Sequence, residues 1–80
     1  MKLVELTEFL VKSIVSDPDS ILIKQFEDED LITIEIIVKE EDMGIVIGKG
    51  GSIINSIRAI VQASSFVNNL KHVQLNVDSF

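Results

Sequence analysis

The sequence predicts an α+β fold in which helices cover one face of a three-stranded sheet, in the order α-β-β-α-α-β. Two periodicities support this prediction. Apolar residues recur with helical spacing in residues 1–15 and again after residue 52, and they alternate with polar residues in residues 31–39 and 72–78. The 80 residues fit a single domain, which we place over residues 1–80.

The first segment, residues 1–15, predicts an amphipathic helix. Pro18 closes this segment, because the residue before a proline is disfavoured in a helix. Phe9 lies at the edge of the apolar stripe, either as a lone exposed aromatic or as part of a self-association surface. The stripe itself consists of Leu3, Leu6, Leu10 and Ile14.

A β-hairpin with an acidic turn follows. Residues 21–26 predict its first strand, residues 27–30 the turn, and residues 31–39 its second strand. β-Branched residues dominate the second strand, as a half-buried sheet favours. The inward-facing positions of that strand are Ile32, Ile34, Ile36 and Val38.

Two helices and a last strand complete the prediction. Acidic residues 40–42 precede a short helical stretch over residues 43–47, where the helix dipole favours negative charge. Ser52 is expected to cap the next helix with its hydroxyl. Asn68 and Asn69 interrupt that helix, and residues 72–78 form the last strand. The buried face of the longer helix is predicted to consist of Ile53, Ile57, Ile60, Val61 and Ser64, with Ile54 beside them.

Charge is divided unevenly along the chain, whose net charge is −6. Residues 1–42 hold twelve acidic and four basic residues, whereas residues 43–80 hold one acidic and three basic residues. Because acidic surfaces repel phosphate, a surface that binds nucleic acid is expected in the second half. The alternative is that these charged residues only form a solvated surface. Three basic residues are too few for tight electrostatic binding, since each phosphate contact releases only about one counterion.

Several classes of function are excluded or left without support. The chain has no cysteine, which excludes disulfides, zinc–thiolate sites and thiol nucleophiles. Its apolar runs are far shorter than the ~20 residues that cross a bilayer, and its first residues are too acidic for a signal peptide, so we expect a soluble, cytoplasmic protein without membrane contact. His72 has no nucleophile at fixed spacing, and residues 27–30 lack the pattern of an EF-hand. We therefore predict no catalytic residue, metal, cofactor or small-molecule substrate.

Three of the four glycines, Gly48, Gly50 and Gly51, lie within four residues between two predicted helices. A tight turn needs one or two glycines, so the others suggest a backbone that a ligand approaches closely. Gly48 ends one helix and Gly51 lies beside the N-terminus of the next, where exposed N–H groups favour a phosphate. Lys49 adds a positive charge at the tip. Candidates for the floor of an adjacent groove are Ile45, Val46 and Ile54.

Other glycine motifs fit this loop poorly. In a Walker A loop the glycines are further apart and the lysine precedes serine or threonine, whereas Lys49 precedes Gly50. A dinucleotide fingerprint needs a strand that leads directly into the loop. A G-x-x-G match alone is weak. The pattern apolar-apolar-Gly-Lys-Gly-Gly-x-x-Ile, between two helices and after a β-hairpin, is more specific.

That pattern resembles the KH domain in its type II arrangement, and more narrowly the bacterial KhpA (YlqC) family of small stand-alone KH-domain RNA-binding proteins. The resemblance covers essentially the whole chain, including residues 16–19, the isoleucine-rich strand and the Val-Ile-Gly-Lys-Gly-Gly run of residues 46–51. Its most family-specific part is Glu-Asp-Met-Gly at residues 41–44. The implied fold is a type II KH domain with its glycine loop at residues 48–51.

The resemblance implies a binding module without catalytic activity, whose glycine loop clamps about four nucleotides of single-stranded RNA through their backbone. It also implies a cytoplasmic RNA chaperone with links to cell shape. Ser52 would start the helix after the loop, and Arg58 would be a flanking phosphate contact. The implied clamp consists of Gly48, Lys49, Gly50 and Gly51, and the implied groove residues are Ile45, Val46, Ile47 and Ile54.

The resemblance further implies a homodimer, or a heterodimer with a larger multidomain KH protein (KhpB, or Jag). After the loop this chain carries only Arg58 and Lys71 as basic residues, fewer than such proteins usually have. We therefore predict weak RNA binding by one copy, with avidity supplied by a dimer or partner. The alternative is a dimerising scaffold whose RNA contact comes mainly from that partner, with Phe9, Phe66 and Phe80 as candidate contact residues.

Overall fold

The predicted α+β fold and its element order are confirmed in the computed structural model, which describes residues 2–80. The elements are helix α1 (Leu3–Lys12), strand β1 (Leu22–Glu27), strand β2 (Leu31–Val38), helix α2 (Glu40–Ile47), helix α3 (Ser52–Val67) and strand β3 (His72–Ser79). Short 3₁₀ turns at Pro18–Ser20 and Lys49–Gly51 lie before β1 and before α3. The predicted first helix included Met1, which lies outside the described residues, and it ends at Lys12 rather than at Val15.

The three strands form one mixed sheet in the order β1-β2-β3. β1 runs antiparallel to β2, with Gln25 opposite Ile34, and β3 runs parallel to β2, with Leu75 opposite Ile34. Leu22 and Phe26 lie on the face away from the helices and are exposed, so the helices cover one face, as predicted. The predicted alternation of β2 is also confirmed, because its buried residues are Ile32, Ile34, Ile36 and Val38.

The buried stripe of α1 differs from the predicted one. Its centre is formed by Leu3, Thr7 and Val11, which recur every fourth residue and are all buried. Thr7 is tolerated in the core because its hydroxyl donates to the carbonyl oxygen of Leu3 at 2.8 Å. The other predicted stripe residues are only partly buried beside this centre: Leu6, Leu10 and Ile14.

The buried stripe of α3 is likewise rotated around the helix. Ile60, which was predicted to be buried, is 47% exposed, whereas Ser65 is fully buried. The hydroxyl of Ser65 donates to the carbonyl oxygen of Lys71, and this bond ties the end of α3 to the start of β3. The residues that α3 buries are Ile54, Ile57, Val61 and Ser65.

A buried carboxylate fixes the start of α2. Asp42 is 3% exposed, and its Oδ1 accepts hydrogen bonds from the backbone N–H and the hydroxyl of Ser16, at 3.1 and 2.7 Å. The bond from the Ser16 hydroxyl is the main cause that holds the pKa of Asp42 below its ordinary value. Since Ser16 follows α1, this contact ties the end of α1 to the helix that leads into the glycine loop.

No single helix within residues 2–80 is long and apolar enough to cross a membrane. Helix α2 and the segment Lys49–Val67 reach the required length and composition only as a pair, and they are bent by 47° at the break between them. The buried apolar residues of both helices belong to the core that they form with the sheet.

Candidate nucleic-acid interface

The glycine loop joins α2 to α3 through three glycines with positive φ. Gly48 ends α2 at φ 76°, and a Cβ added to it would lie 2.7 Å from the side chain of Ile53 and 2.9 Å from the backbone nitrogen of Ile53. Gly50 has φ 62°, but an added Cβ would meet nothing within 4 Å. Gly51, at φ 80°, occupies the N-cap position of α3. Glycine is therefore required at Gly48 by space as well as conformation, and at Gly50 by conformation alone.

Two backbone amides at the tip of this loop have no hydrogen-bond partner among the described residues. The N–H of Gly51 donates to the carbonyl oxygen of Gly48 at 3.1 Å, and the N–H of Ser52 donates to the carbonyl oxygen of Lys49. The N–H groups of Lys49 and Gly50 make no hydrogen bond to any other residue in the range 2–80. Neighbouring unpaired donors before the N-terminus of a helix favour an anion such as a phosphate.

Ser52 starts α3, but the prediction that its hydroxyl caps the helix is wrong. Gly51 holds the N-cap position, and no side chain caps the helix there. Ser52 comes one residue too late for capping, because an N-cap residue must lie outside the helical conformation and Ser52 has φ −60° and ψ −38°. The N-terminal end of α3 is thus open to a ligand.

Lys49 carries an unneutralised charge at the loop tip. It is exposed and takes part in none of the ion pairs among the described residues, which join Lys12 to Glu8, Lys39 to Asp17, and Lys71 to Glu27. The Lys71 ammonium donates both to Glu27, at 2.7 Å, and to the carbonyl oxygen of Asp28, at 2.6 Å. The charge that the second half offers to a ligand therefore comes from Lys49 and Arg58.

Arg58 supports the junction between α3 and β3, a role that the sequence did not indicate. Its Nε and Nη2 donate to the carbonyl oxygen of Leu75 at 3.4 and 3.2 Å, and its Nη1 donates to Asn55 Oδ1 at 2.8 Å. One turn further along α3, Gln62 Oε1 accepts the backbone N–H of Val73 at 2.9 Å. These contacts engage the edge of β3 that faces away from β2. Because a guanidinium has five N–H groups, Arg58 keeps donors for a phosphate.

The predicted groove residues fall into two groups. Ile45 is 46% exposed and Ile47 is partly buried, so both reach the surface beside the loop. Val46 and Ile54 are 0% and 4% exposed and belong to the core, because helical spacing turns them toward the sheet. Of these four residues, Ile45 and Ile47 therefore offer apolar surface beside the loop. Val46 and Ile54 hold in place the two helices that flank the loop.

A cavity of about 290 Å³ lies at the other end of the sheet. Leu3, Ile32 and Leu70 are among its lining residues, with Lys71 and Glu27 at the side. Helix α3 separates it from the glycine loop by roughly 24 Å, the length of a 16-residue helix. The cavity is therefore not part of the site at the loop.

The mixed three-stranded sheet, the α-β-β-α-α-β order and a glycine loop with open amides between two helices define a KH domain of type II. The model of the KhpA/KhpB KH-domain family matches residues 4–77. This chain belongs to that family.

Curated relatives have nearly the same length as this chain. The RNA-binding protein KhpA of Clostridium perfringens is 41% identical over 69 residues, which is 86% of this chain and 92% of the relative. The RNA-binding protein KhpA of Thermotoga maritima is 34% identical over 73 residues, 91% of this chain and 95% of the relative. The sequence resemblance to the KhpA family is thereby confirmed.

Solved structures of Era share the fold. Era of Aquifex aeolicus superposes with a TM-score of 0.77 at 22% identity, over 98% of this chain and 30% of Era. A structure of Era in complex with MgGDPNP and nucleotides 1506–1542 of 16S ribosomal RNA gives a TM-score of 0.78, also at 22% identity and with the same coverage. This chain thus spans about a third of the length of Era, and the likeness concerns the fold of that part.

Proposed function

We propose that this protein binds single-stranded RNA through the glycine loop. The backbone N–H groups of Lys49 and Gly50 donate to a phosphate oxygen, and the Lys49 ammonium pairs with a neighbouring phosphate. Ile45 and Ile47 provide apolar surface for a base beside the gripped backbone. Arg58, held beside β3, contributes a further phosphate contact.

The observation that carries this proposal is the pair of amides at Lys49 and Gly50 that have no hydrogen-bond partner within residues 2–80. Gly48 and Gly51 provide positive φ angles on either side of these amides, and Lys49 has no carboxylate partner within the described residues. The RNA-binding names of the KhpA relatives support the same assignment. We further propose that the protein acts without a catalytic step, in the cytoplasm, and promotes annealing of RNA strands as a chaperone.

Fluorescence anisotropy with a labelled single-stranded RNA of about ten nucleotides tests the proposal, because a KH loop needs about four. Wild-type protein is compared with Lys49→Asp/Gly50→Asp at two salt concentrations. The open space at Gly50 and the tolerance of aspartate for positive φ allow this variant to fold. We expect salt-sensitive binding by the wild type and none by the variant, because carboxylates replace the lysine and face the phosphate.

A matched control is Lys2→Asp/Asn69→Asp, which changes the net charge by the same amount. Lys2 precedes α1 at a position where aspartate is a favourable N-cap, and Asn69 has φ 56°, which aspartate tolerates. Both residues line the cavity at the other end of the molecule. The control should retain RNA binding. Equal loss in both variants would mean that net charge, and not the loop, determines binding.

A dimerising scaffold is the second candidate, and exposed apolar side chains on α3 favour it. Phe66 and Val67 are 79% and 75% exposed, and Ile60 lies two turns before Val67 on the same face. Such a stripe is typical of a surface that a partner covers, here a second copy or a KhpB-like KH domain. Phe9 and Phe80 are also exposed, on α1 and after β3, so the other two predicted contact residues are free of the core as well.

Sedimentation equilibrium distinguishes the two candidates. If α3 mediates dimerisation, Phe66→Ser/Val67→Ser should be monomeric, while Lys49→Asp/Gly50→Asp keeps the dimer and loses RNA. The monomeric variant should also bind RNA more weakly, because two linked loops provide avidity. A scaffold whose partner supplies the RNA contact predicts instead that the loop variant changes neither property.

A further inference from the structure

The two outer edges of the sheet differ in what covers them. On the outer edge of β3, Arg58 donates to the carbonyl oxygen of Leu75. One turn later in α3, Gln62 accepts the N–H of Val73 on the same edge. The outer edge of β1 has no such partner within the described residues, and five of the six residues of β1 are exposed. Because an uncovered strand edge pairs readily with another chain, the edge of β1 is open to a further strand.

The register of the hairpin shows which backbone groups lie on this edge. The N–H of Asp28 donates to the carbonyl oxygen of Leu31 at 3.0 Å, so these two residues form a bonded pair. Bonded and non-bonded pairs alternate along antiparallel strands, and Gln25 opposite Ile34 is therefore a non-bonded pair. The residues in such pairs direct their N–H and C=O groups away from β2, and within β1 they are Ile23, Gln25 and Glu27.

The cavity of about 290 Å³ lies beside this edge, on the helix side of the sheet. Gln25 and Glu27 line it from β1, and its apolar surface comes from Leu3, Ile32 and Leu70. A strand paired with β1 places every second side chain on this side of the sheet. Because pockets for small-molecule ligands begin at about 300 Å³, the cavity suits one large apolar side chain of such a strand. Main-chain bonds at an edge and a pocket for an alternate side chain are typical of strand addition by a peptide.

The charge around β1 indicates which kind of chain this edge attracts. Lys24, the one lysine of β1, lies opposite Glu35 in the register. Glu29 and Asp30, in the turn after β1, are exposed and take part in none of the ion pairs within residues 2–80. Residues 1–42 as a whole hold twelve acidic and four basic residues. Such a surface repels phosphate and the same surface of a second copy, whereas it attracts a basic segment.

We propose that the outer edge of β1 binds an extended, basic segment of a partner protein. The segment adds a fourth strand to the sheet and inserts one apolar side chain into the cavity. This interaction does not depend on the proposed RNA binding, because helix α3 separates the cavity from the glycine loop. The acidic first half of the chain then holds a protein while the second half remains available to RNA.

A synthetic peptide tests this proposal before the natural partner is identified. The probe is acetyl-Lys-Lys-Val-Thr-Leu-Thr-Val-Lys-Lys-amide, whose side-chain order is the same in both directions, so that no strand orientation is assumed. Chemical shifts of the backbone amides of the full chain are followed while this peptide is added. We expect the largest changes at Ile23, Gln25 and Glu27. Lys49→Asp/Gly50→Asp should bind the peptide as the wild type does, because the glycine loop is not part of this surface.

Gln25→Pro tests the backbone contact from the side of the protein. Proline removes the outward N–H of Gln25 without breaking a bond to β2, and edge strands are where a sheet tolerates proline. Peptide affinity should fall by roughly tenfold. The matched control is Gln25→Thr, which keeps the N–H, favours a strand and should bind as the wild type does. Melting curves of both variants establish that the fold is retained.

Two methylated peptides test the same contact without any change in the protein. Each carries N-methyl groups on one of the two alternating sets of amides, and only one set faces β1. One version should therefore lose binding and the other should keep it. Replacing the central leucine of the probe by alanine should weaken binding by roughly tenfold, because the cavity is left unfilled. Replacing its lysines by glutamates should also weaken binding, and more strongly at low salt than at high salt.

Four outcomes would overturn the proposal. The first is a titration in which the amides of β1 do not move when the peptide is added. The second is equal binding of the two methylated peptides, which would exclude strand addition. The third is movement of the same amides on dilution of the protein alone, which would assign the edge to a second copy. The fourth is movement of these amides on addition of single-stranded RNA, which would assign the edge to nucleic acid.

Discussion

The hairpin turn at residues 27–30 reverses the chain and the glycine loop at residues 48–51 bends it by 47°, and the two segments differ in what their backbone amides bond to. In the hairpin turn, Asp28 Oδ1 accepts the N–H groups of Asp30 and Leu31, at 2.9 and 2.8 Å. In the glycine loop, the N–H groups of Lys49 and Gly50 have no partner within residues 2–80. The hairpin turn supplies its own anion, whereas the glycine loop is open to an external one.

Other turns in the first half follow the hairpin pattern. Asp17 Oδ1 accepts the N–H of Asp19 at 3.3 Å, and Asp42 Oδ1 accepts the N–H of Ser16 at 3.1 Å. Part of the negative charge of residues 1–42 therefore closes turns and does not only solvate the surface. The glycine loop therefore differs from these turns because no carboxylate of the described residues accepts its amides, and this difference defines the site as much as its glycines do.

The largest predicted effect is a difference in folding stability between substitutions at two glycines of the same loop. Gly48→Ala should destabilise the fold by about 2–4 kcal/mol, because alanine is strained at the positive φ of this position and its Cβ also collides with Ile53. Gly50→Ala should cost only about 1 kcal/mol, since its strain is not accompanied by a collision. Urea denaturation of both variants measures the difference. Equal losses would contradict the distinction between space and conformation at these positions.

The next effect concerns the hairpin turn. Asp28→Ala removes the acceptor of two backbone N–H groups and should lower the free energy of unfolding by about 1 kcal/mol. RNA affinity should not change, because the turn is not part of the site. Asp28→Asn keeps an acceptor oxygen and is the control. Its free energy of unfolding, measured by urea denaturation, should fall by less than that of Asp28→Ala. Weaker RNA binding by Asp28→Ala would mean that the two turns are not independent.

A third effect appears at low pH. The Ser16 hydroxyl lowers the pKa of Asp42 below its ordinary value of 3.8, so the folded state favours the charged carboxylate. The resulting stability is complete well above 3.8 and is lost as the pH falls through the lowered pKa of the folded state. Ser16→Ala should therefore lose less stability on acidification than the wild type, in urea midpoints measured from neutral pH down to below that value. Parallel profiles for the two proteins would contradict this cause.

The smallest predicted effect is on the salt dependence of RNA binding. Lys49→Ala should reduce the slope of log affinity against log salt by about 0.7–1, the contribution of one phosphate contact. Lys71→Ala should leave the slope unchanged, because Lys71 already pairs with Glu27. Anisotropy titrations at several salt concentrations compare the two variants. A reduced slope for Lys71→Ala would mean that this ion pair opens when RNA binds.

The element order and the central strand could be predicted from the sequence because each of their residue patterns is compatible with only one structure. The period-2 alternation from Ile32 to Val38 fits only a half-buried strand, and the structure buries every residue that it assigned inward. The glycine loop was equally distinct, since three clustered glycines beside Lys49 have few structural explanations.

The buried faces of the helices were harder to predict, because the same apolar pattern is compatible with several orientations of the helix. The apolar stripe of α3 is wide, so Ile60 fits a buried position as well as Ile54 does, and only packing against the sheet decides between them. The same ambiguity affects Val46, which sequence alone cannot assign to a groove or to the core. Arg58 posed a different problem, since its partner, the carbonyl oxygen of Leu75, lies 17 residues away and is brought close only by the fold.

The central claim is that the amides of Lys49 and Gly50 receive the RNA backbone, and NMR titration tests it most directly. Chemical shifts of backbone amides are followed while a short single-stranded RNA is added. We expect the largest changes at Lys49 and Gly50 and none at Asp30 and Leu31, whose amides are already bonded to Asp28. Changes concentrated on the open face of the sheet or on α3, with the loop amides unmoved, would contradict the account.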